Sequence, residues 1–273
     1  MQYIYRFKIM SSPAELIIFC DDKTRSDKVA KAVLQDAKRL EKKYNYYDEN
    51  SILSKINQRV DERLDHETKF LLLEAKKYYQ ATKGVFDITI ATIKDLYSSQ
   101  KSIKSLEKLK NDLLPFVGCE HFAIKKDKII FDNEFTKLDL GGFVKEYAVD
   151  RASMIIKKKR IKSALVNFGG DIYAIGKKPN GEKFKIGIKD PNDKTRHKTF
   201  VQLQDQALTT SASYERNYQI EDKNFSHIIS KDTTQKTPKS VSVISNSCLT
   251  SGVYSTSLMI DPNIKTEYRV IQL

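Results

Sequence analysis

Apolar residues along this chain recur at helical spacing in some stretches and gather into short runs in others, and together these lay out its elements. Val29, Val33, Ala37 and Leu40 fall on one face of a helix predicted from a Ser26 cap to about Tyr44. Phe70, Leu71, Leu73, Ala75 and Tyr78 predict a second helix over 66–83, with Gly84 where a glycine ends a helix. Residues 102–114 predict a third, stopped by Pro115, and 250–259 a short one of small residues. Strand-like runs cover 3–9 and 14–20, broken apart by Ser11, Ser12 and Pro13, then 164–168, 199–203, 207–210 and 241–245. Turns are predicted at Lys126 and Asp127 within a hairpin over 122–131, at PNGE between strands 171–176 and 184–188, and between 218–220 and 226–229. Residues 44–57 mix aromatics with Asp48, Asn50 and Ser51 and read as a loop opening a short helix. Strands and helices mix without a steady βαβ alternation, which predicts an α+β fold with much antiparallel sheet, as one compact unit over 1–273.

Residues 137–160, KLDLGGFVKEYAVDRASMIIKKKR, organise the rest. They read as a strand ending at Leu140, a glycine pair, and a helix whose apolar face is Val144, Ala148, Ala152 and Ile155. Free N–H groups after Gly141 and Gly142 suit an anion such as a phosphate. Lys145 lies in the first turn, where a cation is unfavourable unless something negative faces it. Taken alone, the stretch is equally a strand entering a surface helix.

Composition changes this picture little. The net charge of +13 suits acidic partners or phosphates, yet the lysines are scattered, so the chain reads as a Lys-rich solvated surface and not a nucleic-acid binder. Cys20, Cys119 and Cys248 are far apart, with neither disulfide framework nor metal spacing. No apolar run is long enough to span a bilayer, and the chain reads as cytoplasmic as given, or as an exported or anchored mature form if a leading segment was removed.

Six short motifs occur in order: SILSKIN at 51–57, GVFDI at 84–88, DLGGFVKEYAVDR at 139–151, VNFGGDIYAIG at 166–176, YER at 214–216 and HII at 227–229. With them the chain, from about Met10 to Met259, resembles the ApbE-like family of FAD:protein FMN transferases. The resemblance implies a two-lobed α+β architecture related to the T-fold, with FAD in a cleft. It implies Mg²⁺-dependent transfer of FMN from FAD to a Thr or Ser hydroxyl of a partner flavoprotein, releasing AMP. It assigns flavin contacts to Met10, Tyr47, Val85, Phe86, Asp87, Asp139, Lys145 and Ile228, the general base to His227, and metal ligands to the Gly142 carbonyl and Thr256. Each also has a plainer reading: Tyr47 and Phe86 as ordinary packing aromatics, Asp87 as a cap, His227 as a structural histidine. His66, His121 and His197 read as surface residues.

The chain departs from the family pattern in four places. Gly252 stands where the family has an Asp one turn before the Thr, here Thr256; Ala212 and Ser213 replace a Gly and an Asp; residues 230–234 replace DPRTG; and Glu146 replaces a Gly. The loss at 252 predicts a weakened metal site, which an Asp restored there would partly rebuild, or an acid such as Asp232 would serve. A transferase and a flavin-binding relative without transfer chemistry both remain open on these residues.

Overall fold

The computed structural model describes residues 1–213, 217–231 and 238–273. The chain opens with strands β1 (Gln2–Ile9) and β2 (Ser12–Phe19), paired antiparallel with Ile9 opposite Ser12. The turn between them is therefore Met10 and Ser11 alone, both at positive φ (47° and 61°), and Ser12 and Pro13 belong to the strand instead of breaking it. Helix α1 (Lys23–Tyr44) follows. Its cap is Asp22, whose carboxylate accepts from the Thr24 N–H at 2.8 Å; Ser26, expected to cap, is buried inside the helix. Val29, Val33, Ala37 and Leu40 are buried as their spacing predicts. Burying each large aliphatic side chain contributes about 1.5–3 kcal/mol.

Next come α2 (Ile52–Asn57) and α3 (His66–Ala81). The latter ends with Lys83 (φ 53°) and Gly84 (φ 82°) both left-handed, the Gly84 N–H reaching back to Tyr79 O at 2.7 Å. Its buried face is Thr68, Leu71, Leu72 and Ala75, while Phe70 and Leu73 face outward, so the apolar stripe is rotated from the predicted one. Two short helices not expected, α4 (Ala91–Lys94) and α5 (Leu96–Ser99), precede α6 (Ile103–Leu113), which was predicted over 102–114. The hairpin β3 (Phe122–Lys125) and β4 (Lys128–Phe131) turns at Lys126 and Asp127 as predicted.

Residues 137–140 form no strand and join no sheet, contrary to the expectation. The Asn57 side chain takes the place of a neighbouring strand: its Nδ2 donates to Leu138 O and its Oδ1 accepts from Leu138 N–H, both at 2.8 Å. Helix α7 (Gly141–Lys158) then begins, with Gly142 off the helical angles at φ −91°, ψ 21°.

The remaining elements are β5 (Ser163–Phe168), β6 (Asp171–Ile175), β7 (Phe184–Asp190), β8 (Asp193–Leu203), β9 (Gln206–Ala212), β10 (Asn217–Ile220), β11 (Lys223–Ser226), β12 (Ser240–Ser245), α8 (Cys248–Ile260) and β13 (Arg269–Gln272). Among the described residues one antiparallel sheet runs in the order β1-β2-β5-β6-β9-β12-β13. The fold is α+β, as expected. PNGE turns the chain but builds no hairpin between β6 and β7, because β6 pairs with β5 and β9 and β7 pairs with β8. The strand predicted over 226–229 is instead Lys223–Ser226, and β13 was not predicted.

Helices α1, α7 and α8 lie together on one face of the sheet, and the β7–β8 ribbon covers apolar residues of the other, including Ile172, Ala174 and Leu208. That explains why β6 and β12 are buried along their whole length. A smaller cluster packs Ile93, Tyr97, Leu106 and Val117 against Ile220 and Ile229, tying residues 217–229 to the short helices. No helix among the described residues is long and apolar enough to cross a membrane, and the three cysteines are free thiols.

Candidate functional site

A cleft of about 990 Å³ opens between the β1–β2 turn, the α3–α4 connection, the start of α7 and residues 227–231. Met10, Tyr47, Val85, Phe86, Asp87, Asp139, Gly142, Lys145, His227, Ile228 and Thr256 all line it. Residues separated by up to most of the chain length are thus brought to one concave surface. Tyr214 and Arg216 of the YER motif, and Asp232, lie outside the described residues.

At one end stand aromatics and paired charges. Tyr47 is 79% exposed at the rim, edge-on to Tyr46 with ring centroids 5.3 Å apart. Lys94 Nζ lies 4.0 Å from the Tyr46 ring centre and 2.5 Å from Asp139 Oδ2. Burial alone would lower the Lys94 ammonium, but Asp139 outweighs it and holds the group above its ordinary value. Tyr46 Oη donates to Asp95 at 2.6 Å, and burial with that carboxylate raises the phenol. Asp139 also accepts from the Gly141 N–H at 2.8 Å, so one carboxylate satisfies the glycine turn and the lysine together.

The sharp end of α3 delivers Val85, Phe86 and Asp87. Phe86 is buried and stacks on Phe143 of α7 at 5.6 Å. Asp87 does cap, its Oδ1 accepting from Thr89 N–H and Thr89 Oγ1, yet its Oδ2 faces Lys231 at 3.1 Å. The capping and cleft-lining readings of Asp87 both hold. Met10 N–H donates to Glu41 Oε1 at 2.6 Å, which fixes the β1–β2 turn over α1. Ile228 N–H donates to Ser226 Oγ, and with Ile229 packed in the smaller cluster this seats His227 at the cleft wall.

At the other end α7 meets β6 and α8. Lys145 in the first turn of α7 faces Asp171, with Nζ 2.6 Å from Oδ2. This supplies the negative partner that its position requires. Burial would lower the ammonium, but Asp171 and Glu146 together raise it. Glu146 was visible in the sequence only as a departure from the family pattern and Asp171 only as part of VNFGGDIYAIG, although a lysine beside the positive end of a helix was a signal that an acid must be near.

Helix α8 is buried on nearly every side, with Ser251, Gly252 and Ser255 keeping its neighbours close. Its first N–H groups, of Cys248 and Leu249, donate to Asp150 of α7 at 2.7 and 3.0 Å. Burial nevertheless pushes the Asp150 carboxyl up to about 6. Thr256 Oγ1 lies 3.1 Å from Ser211 Oγ. Burial also pushes Glu146 up to about 8, with the charge of Asp171 adding to the effect.

The expectation that an Asp at 252 would repair the site is corrected here. A Cβ at that position would lie 2.5 Å from Glu146 Cγ, so the space is already filled. Over Gly142, by contrast, a Cβ would meet nothing within 4 Å, leaving open room beside the start of α7. Carboxylate, hydroxyl and backbone oxygens together are a donor set suited to a hard cation such as Mg²⁺. Among the described residues no three His, Cys, Asp or Glu side chains form a metal cluster, so most remaining positions would fall to water or ligand oxygens.

A family model described as the ApbE family matches residues 1–269. The chain is similar to a protein of Vibrio cholerae named FAD:protein FMN transferase, 24% identical over 225 residues, covering 78% of this chain and 67% of that one. A Chlamydia pneumoniae protein of the same name is 27% identical over 236 residues, covering 79% and 70%. Among solved structures, the fold is similar to the ApbE protein of Thermotoga maritima, with TM-score 0.87, 26% identity, and 100% and 94% of the two chains covered. It is likewise similar in fold to the flavin transferase ApbE of Vibrio cholerae, with TM-score 0.81, 20% identity, and 100% and 97% covered.

Proposed function

The chain belongs to the ApbE family, and from that premise we infer that its cleft binds FAD and transfers the FMN moiety to a Thr or Ser hydroxyl of a partner flavoprotein, with release of AMP. The observation that carries this reading is the convergence of residues from four of the six motifs on one cleft that pairs an aromatic rim with a cationic, oxygen-rich interior. In this reading Tyr47 and Phe86 flank the flavin ring, Met10, Val85 and Ile228 supply apolar walls, and Asp87 and Asp139 accept its polar edges. Lys145, in the first turn of α7, faces the pyrophosphate.

The acceptor hydroxyl is a weak nucleophile at neutral pH and needs a base. His227 takes its proton as the oxygen attacks the phosphorus of the FMN half. The phosphorus–oxygen bond to the AMP half breaks, and AMP leaves with the electron pair. Lys145 offsets charge gathering on the phosphate oxygens. A divalent cation held near the Gly142 carbonyl and Thr256 Oγ1 would stabilise the same charge as a Lewis acid. The bare Gly252 position favours a second reading, FAD binding without transfer.

One experiment separates the two. Purified protein is incubated with FAD, Mg²⁺ and a flavin-acceptor domain, and the acceptor is weighed by mass spectrometry for covalent FMN. A mass gain that depends on FAD and Mg²⁺ supports transfer. FAD binding without such a gain supports the second reading. A ligand at a hundredfold excess over its dissociation constant stabilises by about 2.7 kcal/mol, so no thermal shift at millimolar FAD would overturn both.

A further inference from the structure

Helices α7 and α8 share a single side-chain volume where they meet in the cleft. A Cβ on Gly252 would lie 2.5 Å from Glu146 Cγ and 3.1 Å from its Cδ and Oε1. The Glu146 side chain therefore occupies the space that a side chain at 252 would use. Gly252 and Thr256 are one turn apart on α8 and share a face, so Glu146 packs against the face of α8 that carries Thr256.

Packing alone does not account for this carboxylate. Glu146 is 6% exposed, yet its Oε2 has no hydrogen-bond partner among the described residues. A buried polar oxygen left without a partner is costly, and a buried carboxylate more so. The nearest cation on its own helix, Lys145, makes its ion pair with Asp171. Gly142, one turn before Glu146, has open space where a side chain would stand. The cleft thus holds a buried carboxyl group with a spare oxygen, a hydroxyl and open room beside a glycine.

We propose that Glu146 is the carboxylate ligand of a divalent-cation site in this cleft, beside Thr256 Oγ1 and the Gly142 carbonyl, so that the charge comes from α7 and Gly252 on α8 is bare to make room for it. Mg²⁺ keeps several waters and is commonly held by one or two carboxylates together with phosphate oxygens, which fits a site with one buried carboxylate beside a phosphate-facing lysine. The inference deepens the proposed transferase and rests on it for the cation's role; the ligand assignment itself is read without flavin.

The test is a titration of Mn²⁺ against the flavin-free protein, following free Mn²⁺ by electron paramagnetic resonance, with Mg²⁺ as competitor. Wild-type protein is expected to bind Mn²⁺ in competition with Mg²⁺. Glu146→Gln keeps the volume and removes the charge, and is expected to weaken binding about tenfold or more, at least the loss typical of disturbing a metal ligand's supporting partner. Gly252→Asp alone is expected to give no gain. The double substitution Glu146→Gly with Gly252→Asp moves the carboxylate to the facing helix and is expected to recover most of the affinity, which also answers for any folding defect of the single variants. Unchanged Mn²⁺ binding in Glu146→Gln, or no competable Mn²⁺ binding by the wild type, overturns the proposal.

A parallel FAD titration without metal keeps the two conclusions apart. FAD binding together with Mn²⁺ binding indifferent to Glu146 removes this inference and leaves the flavin reading standing. Glu146-dependent Mn²⁺ binding without FAD binding does the reverse.

Discussion

At the aromatic end of the cleft Lys94 meets Asp139, Asp87 meets Lys231 and Tyr46 meets Asp95, whereas at the α7–α8 end an oxygen of Glu146 meets no partner among the described residues. The first end is a polar network that holds its shape before any ligand arrives. The second holds a buried carboxyl oxygen without a partner against a tight helix contact. A preset network favours recognition of a rigid, planar group, since little ordering remains to be done on binding. A buried carboxyl oxygen without a partner favours a ligand that brings positive charge. Four substitutions test whether the two ends really differ in this way.

Asn57→Ala should cost the most. It removes both bonds that hold the buried Leu138 backbone ahead of Asp139, leaving two unpaired groups at about 2–4 kcal/mol in all. Chemical denaturation measures this, and a loss below about 1 kcal/mol would mean that the aromatic end is not held by Asn57. Lys94→Ala comes next. It leaves Asp139 without its lysine, and FAD affinity should fall by about 1.5–3 kcal/mol; fluorescence titration reads it, and an unchanged affinity would place the flavin elsewhere.

Gly252→Ala carries the comparison to the other end. Replacing a helical glycine by alanine ordinarily gains about 0.5–1 kcal/mol. Here the methyl would meet Glu146 Cγ, and overpacking should instead cost about 1–3 kcal/mol. On a Glu146→Gly background the sign should revert, and a double-mutant cycle that found the two changes additive would show that the helices do not compete for one space. Tyr47→Ala should have the smallest effect. Its ring is exposed, so stability should stay within about 0.5 kcal/mol, while FAD binding loses about 0.5–1.5 kcal/mol of aromatic contact. An equal loss in both would make Tyr47 a structural residue.

Much of this was legible in the chain itself. The spacing of Val29, Val33, Ala37 and Leu40 gave the buried face of α1, and residues from four of the six motifs line one cleft. Local pattern failed where a distant group settles the backbone. Residues 137–140 have strand composition, but Asn57, eighty-one positions before Leu138, provides their pairing. PNGE has hairpin chemistry, but β6 finds better-buried neighbours in β5 and β9. Lys94 carried no motif, and Asp171 sat within VNFGGDIYAIG with only the charge at Lys145 hinting at its role. Glu146 and Gly252 were each visible as departures, one hundred and six positions apart. Nothing in a linear reading joins them, because their relation is a shared volume and not a spacing.

That shared volume restricts the order in which such a chain can change. With side chains at both positions the helices are overfilled, and with neither the charge is gone. A route between an acid on α8 and an acid on α7 by single replacements must therefore cross one of two poor intermediates, crowded or neutral. Replacing either partner by the residue of the family pattern should therefore do harm that replacing both would not.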